Sequence, residues 1–337
     1  MRTLYTVLLR LALPLILLRL WWRGRREPGY RAGIPERLGH YAHDAPPKLL
    51  WVHAVSVGEA RAAAPLVRAL AQALPDHHVL VTCTTAAGRE TLKQVYGETV
   101  LAAVCAQSAT DAERLRALGA RDVEVTGNLK FDVHPDPAQV AAGRAWRAAL
   151  GRPILLLAST REGEEKLLLD ALPASDGKLL VVVVPRHPQR FEELAQRVPS
   201  RRTRTEMPGP GDRVHLGDTM GEMPFYYAAC DVAVIGGSFV PLGGQNLIEA
   251  LAVGAPVVVG PSMFNFAEAT RLAVKAGAAL QASHAGAAIR AALDLLADRS
   301  RRERMGEAGK KLCEAHRGAT ERHLKRGLSL IRSSGRG

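Results

Sequence analysis

Residues 232–250 read VAVIGGSFVPLGGQNLIEA, and this stretch decides the fold. Val232–Gly236 is a short apolar run that ends on glycine, as expected of a strand buried on both faces of a parallel sheet. Two glycine pairs follow, Gly236-Gly237 and Gly243-Gly244. Such pairs let backbone N–H groups approach an anion with no side chain in the way. The second pair opens a predicted helix whose N-terminus adds a positive dipole end. Glu249 then falls about one turn inside that helix, within reach of two ribose hydroxyls. A structural turn with a surface glutamate would explain a single Gly-Gly. Two pairs at a strand exit, with an acid behind them, point to a phosphate-and-ribose site from Gly236 to Glu249.

The rest of the second half repeats this grammar. Strands are predicted at Ile154–Ala158, Leu179–Val184, Arg213–Leu216, Pro256–Gly260 and Ala278–Gln281, which with Val232–Gly236 makes six. Helices fall between most of them, and two more follow from Ala285 onward. Repeated alternation of strand and helix implies a parallel sheet with helices on both faces. Ligands of such sheets bind beyond the carboxyl ends of the strands. Ser159-Thr160-Arg161-Glu162 follows the first of these strands, and Pro185-Arg186-His187 the second. Ser159, Thr160, Arg186 and His187 therefore join Gly237, Ser238, Gly243, Gly244, Asn246 and Glu249 as candidate substrate-binding residues. Taken alone, Arg186 and His187 are explained equally well by a solvated strand end.

The first half carries a shorter version of the pattern. Strands are predicted at Leu50–Val55, His78–Cys83, Leu101–Ala106 and Val123–Thr126, with helices at Ala60–Leu74, Ala87–Tyr96 and Asp111–Leu118. Four strands are few for a domain of this type. Ser56-Val57-Gly58-Glu59 reads as a tight turn that places Glu59 at the start of a helix. The helix dipole there suits a negative charge, as a general base requires. A first-turn glutamate that only stabilises its helix is the commoner meaning. Lys130, in Gly127-Asn128-Leu129-Lys130-Phe131-Asp132, can hold a leaving phosphate as a point charge, although most lysines are merely solvated. Pro135 and Pro137 begin an interdomain stretch, so the domains are predicted as residues 27–150 and 151–337.

Composition narrows the partners. The formal charge is +12, from 45 Lys and Arg against 33 Asp and Glu, which favours anionic ligands or an acidic membrane surface. Nucleic acid is not indicated: aromatics are 5% and no zinc-finger or ribonucleoprotein signature accompanies the basic residues. The four cysteines are scattered without metal or redox spacing, and neither an Asp-x-Asp nor a His-rich cluster suggests a catalytic metal. No cofactor is implied. Residues Thr3–Trp22 are mostly apolar but contain Arg10, Pro14 and Arg19. A span needs about 20 apolar residues, so residues 1–26 read as a membrane anchor or as a helix lying in the interface. Trp21 and Trp22 suit a headgroup belt, and Arg23, Arg25, Arg26 and Arg31 hold that flank on the cytoplasmic side.

Several segments together resemble the Kdo transferases, which move 3-deoxy-D-manno-octulosonic acid (Kdo) from its CMP-activated form to a lipid A precursor. They are residues 51–59 (WVHAVSVGE), 127–132 (GNLKFD), 184–188 (VPRHP), 217–223 (GDTMGEM), 236–239 with 243–249, and Gly260-Pro261 with Asn265-Phe266. The resemblance implies a GT-B fold, with two Rossmann-like domains facing a cleft and the donor bound by the C-terminal one. It implies an inverting, metal-independent transfer at the inner membrane. Glu59 would be the general base, with Ser56 and Gly58 beside it. Lys130, Arg186 and the Ser238, Gly244 and Asn246 region would hold the CMP phosphate, and Glu249 the ribose. Gln245 stands where many members have His, and Ala250 where many have Pro. Between Val100 and Leu101 the family carries a further stretch, with Glu-x-x-x-Trp-Pro-Asn-like and Asn-Ala-Arg motifs, that this chain lacks. The N-terminal domain is therefore expected to be incomplete. A non-catalytic nucleotide-sugar-binding remnant, or a GT-B relative such as an epimerase acting on a soluble substrate, are the alternatives.

Overall fold

The computed structural model describes residues 18, 21–22, 25, 49–54, 57–82, 105–106, 113, 124–173, 178–204 and 207–334. The chain divides into two compact units. The first comprises Met1–Asp132 with Gly318–Gly337, and the second Val133–Arg317.

The second unit is built on a seven-stranded parallel sheet. Its strands are β5 (Ile154–Thr160), β6 (Leu180–Pro185), β7 (Ser200–Arg201), β8 (Val214–Leu216), β9 (Val232–Ile235), β10 (Val257–Val259) and β11 (Ala279–Gln281). Their order across the sheet is β11-β10-β9-β5-β6-β8-β7. The central strands are runs of Leu, Val and Ile because both of their faces are covered. Alternate residues Leu155, Leu157, Val181, Val183, Val232, Val234 and Val258 share one core cluster. They pack under Leu168 of α4 (Glu164–Asp170) and under Ala288, Ile289, Ala292 and Leu295 of α9 (Ala285–Ala297). The edge strands are short, three residues in β11 and two in β7, which keeps them from templating another sheet. From β5 the chain moves outward through β6, then returns to lay β9 on the other side of β5. The sheet therefore reverses direction between β5 and β9, where open α/β sheets bind ligands.

One strand, β7, escapes sequence analysis, so the sheet has seven members rather than six. Ser200-Arg201 lies in the basic run Ser200-Arg201-Arg202-Thr203-Arg204 and has no apolar alternation to mark it. The interdomain stretch from Pro137 is also corrected. It is α3 (Pro137–Leu150), with Pro137 in the first turn, the Asp136 side chain accepting from Ala138 N, and Gly151 closing it in the left-handed region at φ 65. Trp146 is buried there, 5.6 Å from the Phe225 ring of α6 (Met223–Ala229). Arg147 pairs bidentately with Asp231 at 2.8 and 3.2 Å. These contacts put α3 in the second unit, so the units divide at Asp132 and Val133, not at residue 150.

In the first unit, β1 (Leu49–His53) pairs in parallel with β2 (His78–Thr82). A second parallel pair joins β3 (Cys105–Ala106) to β4 (Glu124–Val125). The predicted helix at Ala60–Leu74 is two helices, α1 (Val57–Ala62) and α2 (Ala64–Ala73). Pro65 separates them, since proline lacks the N–H that would bond to the preceding turn. Gly58 and Glu59 thus belong to a helical first turn, not to a tight turn before it. Leu66, Val67 and Leu70 of α2 cluster with Leu50 and Val79, and Leu324 of the C-terminal helix α11 (Ala319–Ser334) packs against them. The C-terminal helix therefore completes the first unit.

The anchor at 1–26, the connection at 27–47, Ser56, and the helices at 87–96 and 111–118 lie outside the described residues, apart from Leu18, Trp21, Trp22, Arg25 and Glu113. Leu18, Trp21 and Trp22 are helical and exposed, and the Arg25 guanidinium lies 4.8 Å from the Trp21 ring centre. Among the described residues no helix is long and apolar enough to cross a membrane.

Candidate functional site

The glycine segment sits at the sheet's reversal point. A Cβ on Gly236 would lie 2.6 Å from Thr160 Cα, so only glycine lets the ends of β5 and β9 meet. Ser159, at that junction, has φ 55 and is the one non-glycine residue at positive φ among the described residues. Strain of this kind persists where surrounding structure holds it and clusters at functional sites. Gly244, at φ 75, lies against Met263, whose sulfur would be 2.2 Å from an added Cβ.

Most N–H groups of the segment already have partners. Gly236 N donates to Ala158 O at 2.7 Å, Gly244 N to Gly237 O at 2.8 Å and Gln245 N to Gly236 O at 3.0 Å. Gly243 N donates to Ser262 Oγ at 3.1 Å. Gly237 N and Phe239 N donate to the two oxygens of Glu164, at 2.6 and 2.8 Å. The expectation that the paired glycines themselves present N–H groups to a phosphate is corrected accordingly. Among the described residues, the N–H groups of Ser238, Asn246 and Leu247 donate to no protein acceptor. The helix also starts later than expected: α7 runs Ile248–Val253, so Glu249 lies in its first turn, not one turn inside. Asn246 Oδ1 caps it by accepting from Ile248 N at 3.0 Å, and Asn246 Nδ2 donates to Glu249 Oε1 at 2.9 Å.

Several predicted side chains turn out to be committed internally. Ser238 is fully buried, donates to Ile235 O at 2.5 Å and accepts from Gly260 N at 2.8 Å. Thr160 is fully buried and donates to Glu165 Oε1 at 2.8 Å. Neither hydroxyl is left for a ligand. Arg186 is half-buried at the end of β6, and its Nε donates to Gln245 Oε1 at 3.2 Å. The Gln245 side chain reaches that contact across the face of Gly237. His187, next in the chain, is exposed.

Sequence reasoning missed the acids beneath the loop. Glu164 is fully buried and accepts from Arg161 N as well as from Gly237 and Phe239. Burial raises the Glu165 carboxyl above its ordinary range, against the opposing Thr160 hydrogen bond and the Arg190 charge at 3.2 Å. The signal was present: two adjacent acids open a helix straight after a strand exit and Gly163.

In the first unit the structure brings Glu59 and Lys130 together. Lys130 Nζ lies 3.9 Å from Glu59 Oε1, with 18% of the lysine side chain and 41% of the glutamate exposed. Lys130 belongs to a 3-10 turn, Leu129–Phe131, whose N-cap Asn128 accepts from Lys130 N. Burial pushes the Lys130 ammonium below its ordinary range, with Glu59 opposing. Asp132, after this turn, accepts from Gly318 N at 2.7 Å and Thr320 N at 2.6 Å, capping α11. Arg322 donates to Thr126 O at 2.9 Å. Gly58 is exposed beside Glu59. No group of three His, Cys, Asp or Glu among the described residues is arranged to hold a metal.

Two α/β units, the second a doubly wound parallel sheet with its loop at the reversal point, define a GT-B glycosyltransferase. Residues 201–312 match the family model described as glycosyl transferases group 1. Residues 32–103 and 99–133 match, in two pieces, the model described as 3-deoxy-D-manno-octulosonic-acid transferase. The chain is 40% identical to the 3-deoxy-D-manno-octulosonic acid transferase of Bordetella pertussis, over 96% of this chain and 98% of that one. It is 29% identical to the transferase of the same name from Haemophilus influenzae, over 96% and 97%. It therefore belongs to the 3-deoxy-D-manno-octulosonic acid transferase family. Among solved structures, the C-terminal CMP-Kdo binding domain of WaaA from Acinetobacter baumannii is 31% identical. That match covers 52% of this chain and 98% of that domain, with a TM-score of 0.50. The Bordetella alignment runs 421 positions, 84 more than the 337 residues here. The two pieces of the N-terminal match meet at residues 99–103, where sequence analysis found the family's further stretch missing.

Proposed function

We propose that this enzyme transfers Kdo from CMP-Kdo to a lipid A precursor in lipopolysaccharide synthesis. The observation that carries the donor half is the 31% identical CMP-Kdo binding domain, matched over 98% of its length. In this reading the second unit is the donor side. The N–H of Asn246, with Arg186, takes the CMP phosphate at the Ser238 loop, and Glu249 takes the ribose. The first unit is the acceptor side. Glu59 accepts the proton of the acceptor hydroxyl as its oxygen bonds to the anomeric carbon and the bond to CMP breaks. One displacement with one base inverts the anomeric centre, and CMP departs with the bonding pair. Lys130, facing Glu59 at 3.9 Å, supplies positive charge where negative charge moves. The net charge of +12 suits a CMP-sugar, a phosphorylated acceptor and an anionic bilayer, and in this reading the enzyme works at the cytoplasmic face of the inner membrane, held there by residues 1–26.

The test is release of CMP from CMP-Kdo by the full chain, dependent on a lipid A precursor, with the glycolipid product read by mass. A second reading has its own support in the chain being shorter than the 421 positions of the Bordetella alignment. On that reading the chain binds nucleotide sugar without transferring it. CMP would then raise the thermal unfolding temperature while no Kdo-lipid mass appears, and that result would sink the transfer reaction.

A further inference from the structure

Glu164 is buried beneath the loop that the donor-side reading assigns to an anion, yet it is an acid. Its two oxygens receive three backbone donors: Arg161 N at 2.8 Å and Gly237 N at 2.6 Å on Oε2, and Phe239 N at 2.8 Å on Oε1. It has no exposed surface. Carboxylate oxygens are acceptors only, with room for this many donors, and charge-assisted bonds to N–H groups are the stronger kind. Glu164 thereby ties the exit of β5, through Arg161, to the exit of β9, through Gly237 and Phe239. It also takes the first and third N–H groups of the triplet Gly237, Ser238 and Phe239. Within that triplet, the N–H without a protein acceptor among the described residues is that of Ser238.

We infer that Glu164 is a positioning residue of the donor site: its carboxylate ties the exit of β5 to the Gly236–Phe239 loop and so holds that loop in the one shape that receives the donor phosphate. The inference rests on the donor-side reading above. A like charge beneath the loop also repels an anionic ligand, and that effect has the opposite sign. Glu164→Gln separates the two. The amide keeps the size but replaces one acceptor oxygen with a donor NH2, which then faces an N–H group. If positioning dominates, CMP binding weakens; if repulsion dominates, it tightens.

The experiment titrates CMP into the full chain by calorimetry and compares Glu164→Gln with Asp231→Asn. Asp231 is a structural acid at the amino end of the sheet, holding Arg147 and Ile154 N, away from the loop. We expect Kd for CMP to rise about tenfold or more in Glu164→Gln. Asp231→Asn should lower the melting temperature and leave Kd within about twofold of the parent. Unchanged or tighter CMP binding by folded Glu164→Gln overturns the inference alone. A parent chain that binds no CMP overturns the donor-side reading and the inference with it. Amide-resolved hydrogen exchange on the parent chain removes dependence on the variant's folding. Gly237 and Phe239 should be protected before CMP is added and unchanged after it. Protection of Gly237 or Phe239 that appears only with CMP overturns the inference.

Discussion

Two glutamates mark the difference between the units. In the second unit Glu164 is fully buried, and its oxygens are occupied by three backbone N–H groups. In the first unit Glu59 keeps 41% of its side chain exposed and faces Lys130 at 3.9 Å, beyond hydrogen-bonding distance. The buried acid builds a scaffold, and a scaffold needs every polar group satisfied. The half-exposed acid has the access to solvent that the general base proposed above requires. The first glutamate is locked into the fold, and the second keeps a face open to solvent.

This contrast can be broken in several places. The largest effect is expected at Glu59→Gln, which should lower acceptor-dependent turnover by about 10²- to 10⁴-fold, the range of a lost general base, with CMP affinity unchanged. Equal loss of CMP affinity would mean that Glu59 serves the donor instead. Next is Trp146→Ala, which empties the pocket beside Phe225 and His215. It should cost about 3–5 kcal/mol, seen as a lower midpoint of the calorimetric transition that CMP raises.

Acid gives the third effect. Burial pushes His215 down to about 4 from 6.5; Asp218 and Asp212 oppose, and Arg202 adds to the shift. The unfolded chain takes up a proton near 6.5 and the folded one not until about 4, so stability should fall as pH drops through that window. The full loss is on the order of 3 kcal/mol. Urea melts at pH 7, 5.5 and 4 read it, and His215→Gln should flatten the slope. The smallest effect is expected at Asp132→Ala, which removes the cap of α11 and should cost about 1–2 kcal/mol. It should lower a transition that CMP leaves unmoved; a shift of the CMP-sensitive transition would contradict the division into units.

The sheet of the second unit was legible because its strands are continuous runs such as Leu155-Leu156-Leu157 and Val181-Val182-Val183-Val184, which little else can explain. The location of the site was legible for the same reason, since glycines at a strand exit have few other uses. Its chemistry was less so. Sequence spacing showed which residues lie at the strand exits, but not that Ser238 and Thr160 turn their hydroxyls inward or that Glu164 takes the glycine-loop donors. The Glu164 bonds and the Gly260 bond to Ser238 depend on partners 22 to 75 residues away in the chain. The pairing of Glu59 with Lys130 was equally invisible, because 71 residues separate them and nothing local selects one lysine over another.

The return of α11 to the first unit has a consequence for synthesis. Leu324 supplies part of that unit's core, and Asp132 and Thr126 wait for donors from Gly318, Thr320 and Arg322. During translation the N-terminal domain ordinarily folds first. Here the ribosome must release residues 318–334 before the opening unit can close, after the middle of the chain has had time to fold. The half that begins first is finished last, so a nascent chain stalled before Gly318 exposes Leu50, Leu66 and Val79 to chaperones and proteases.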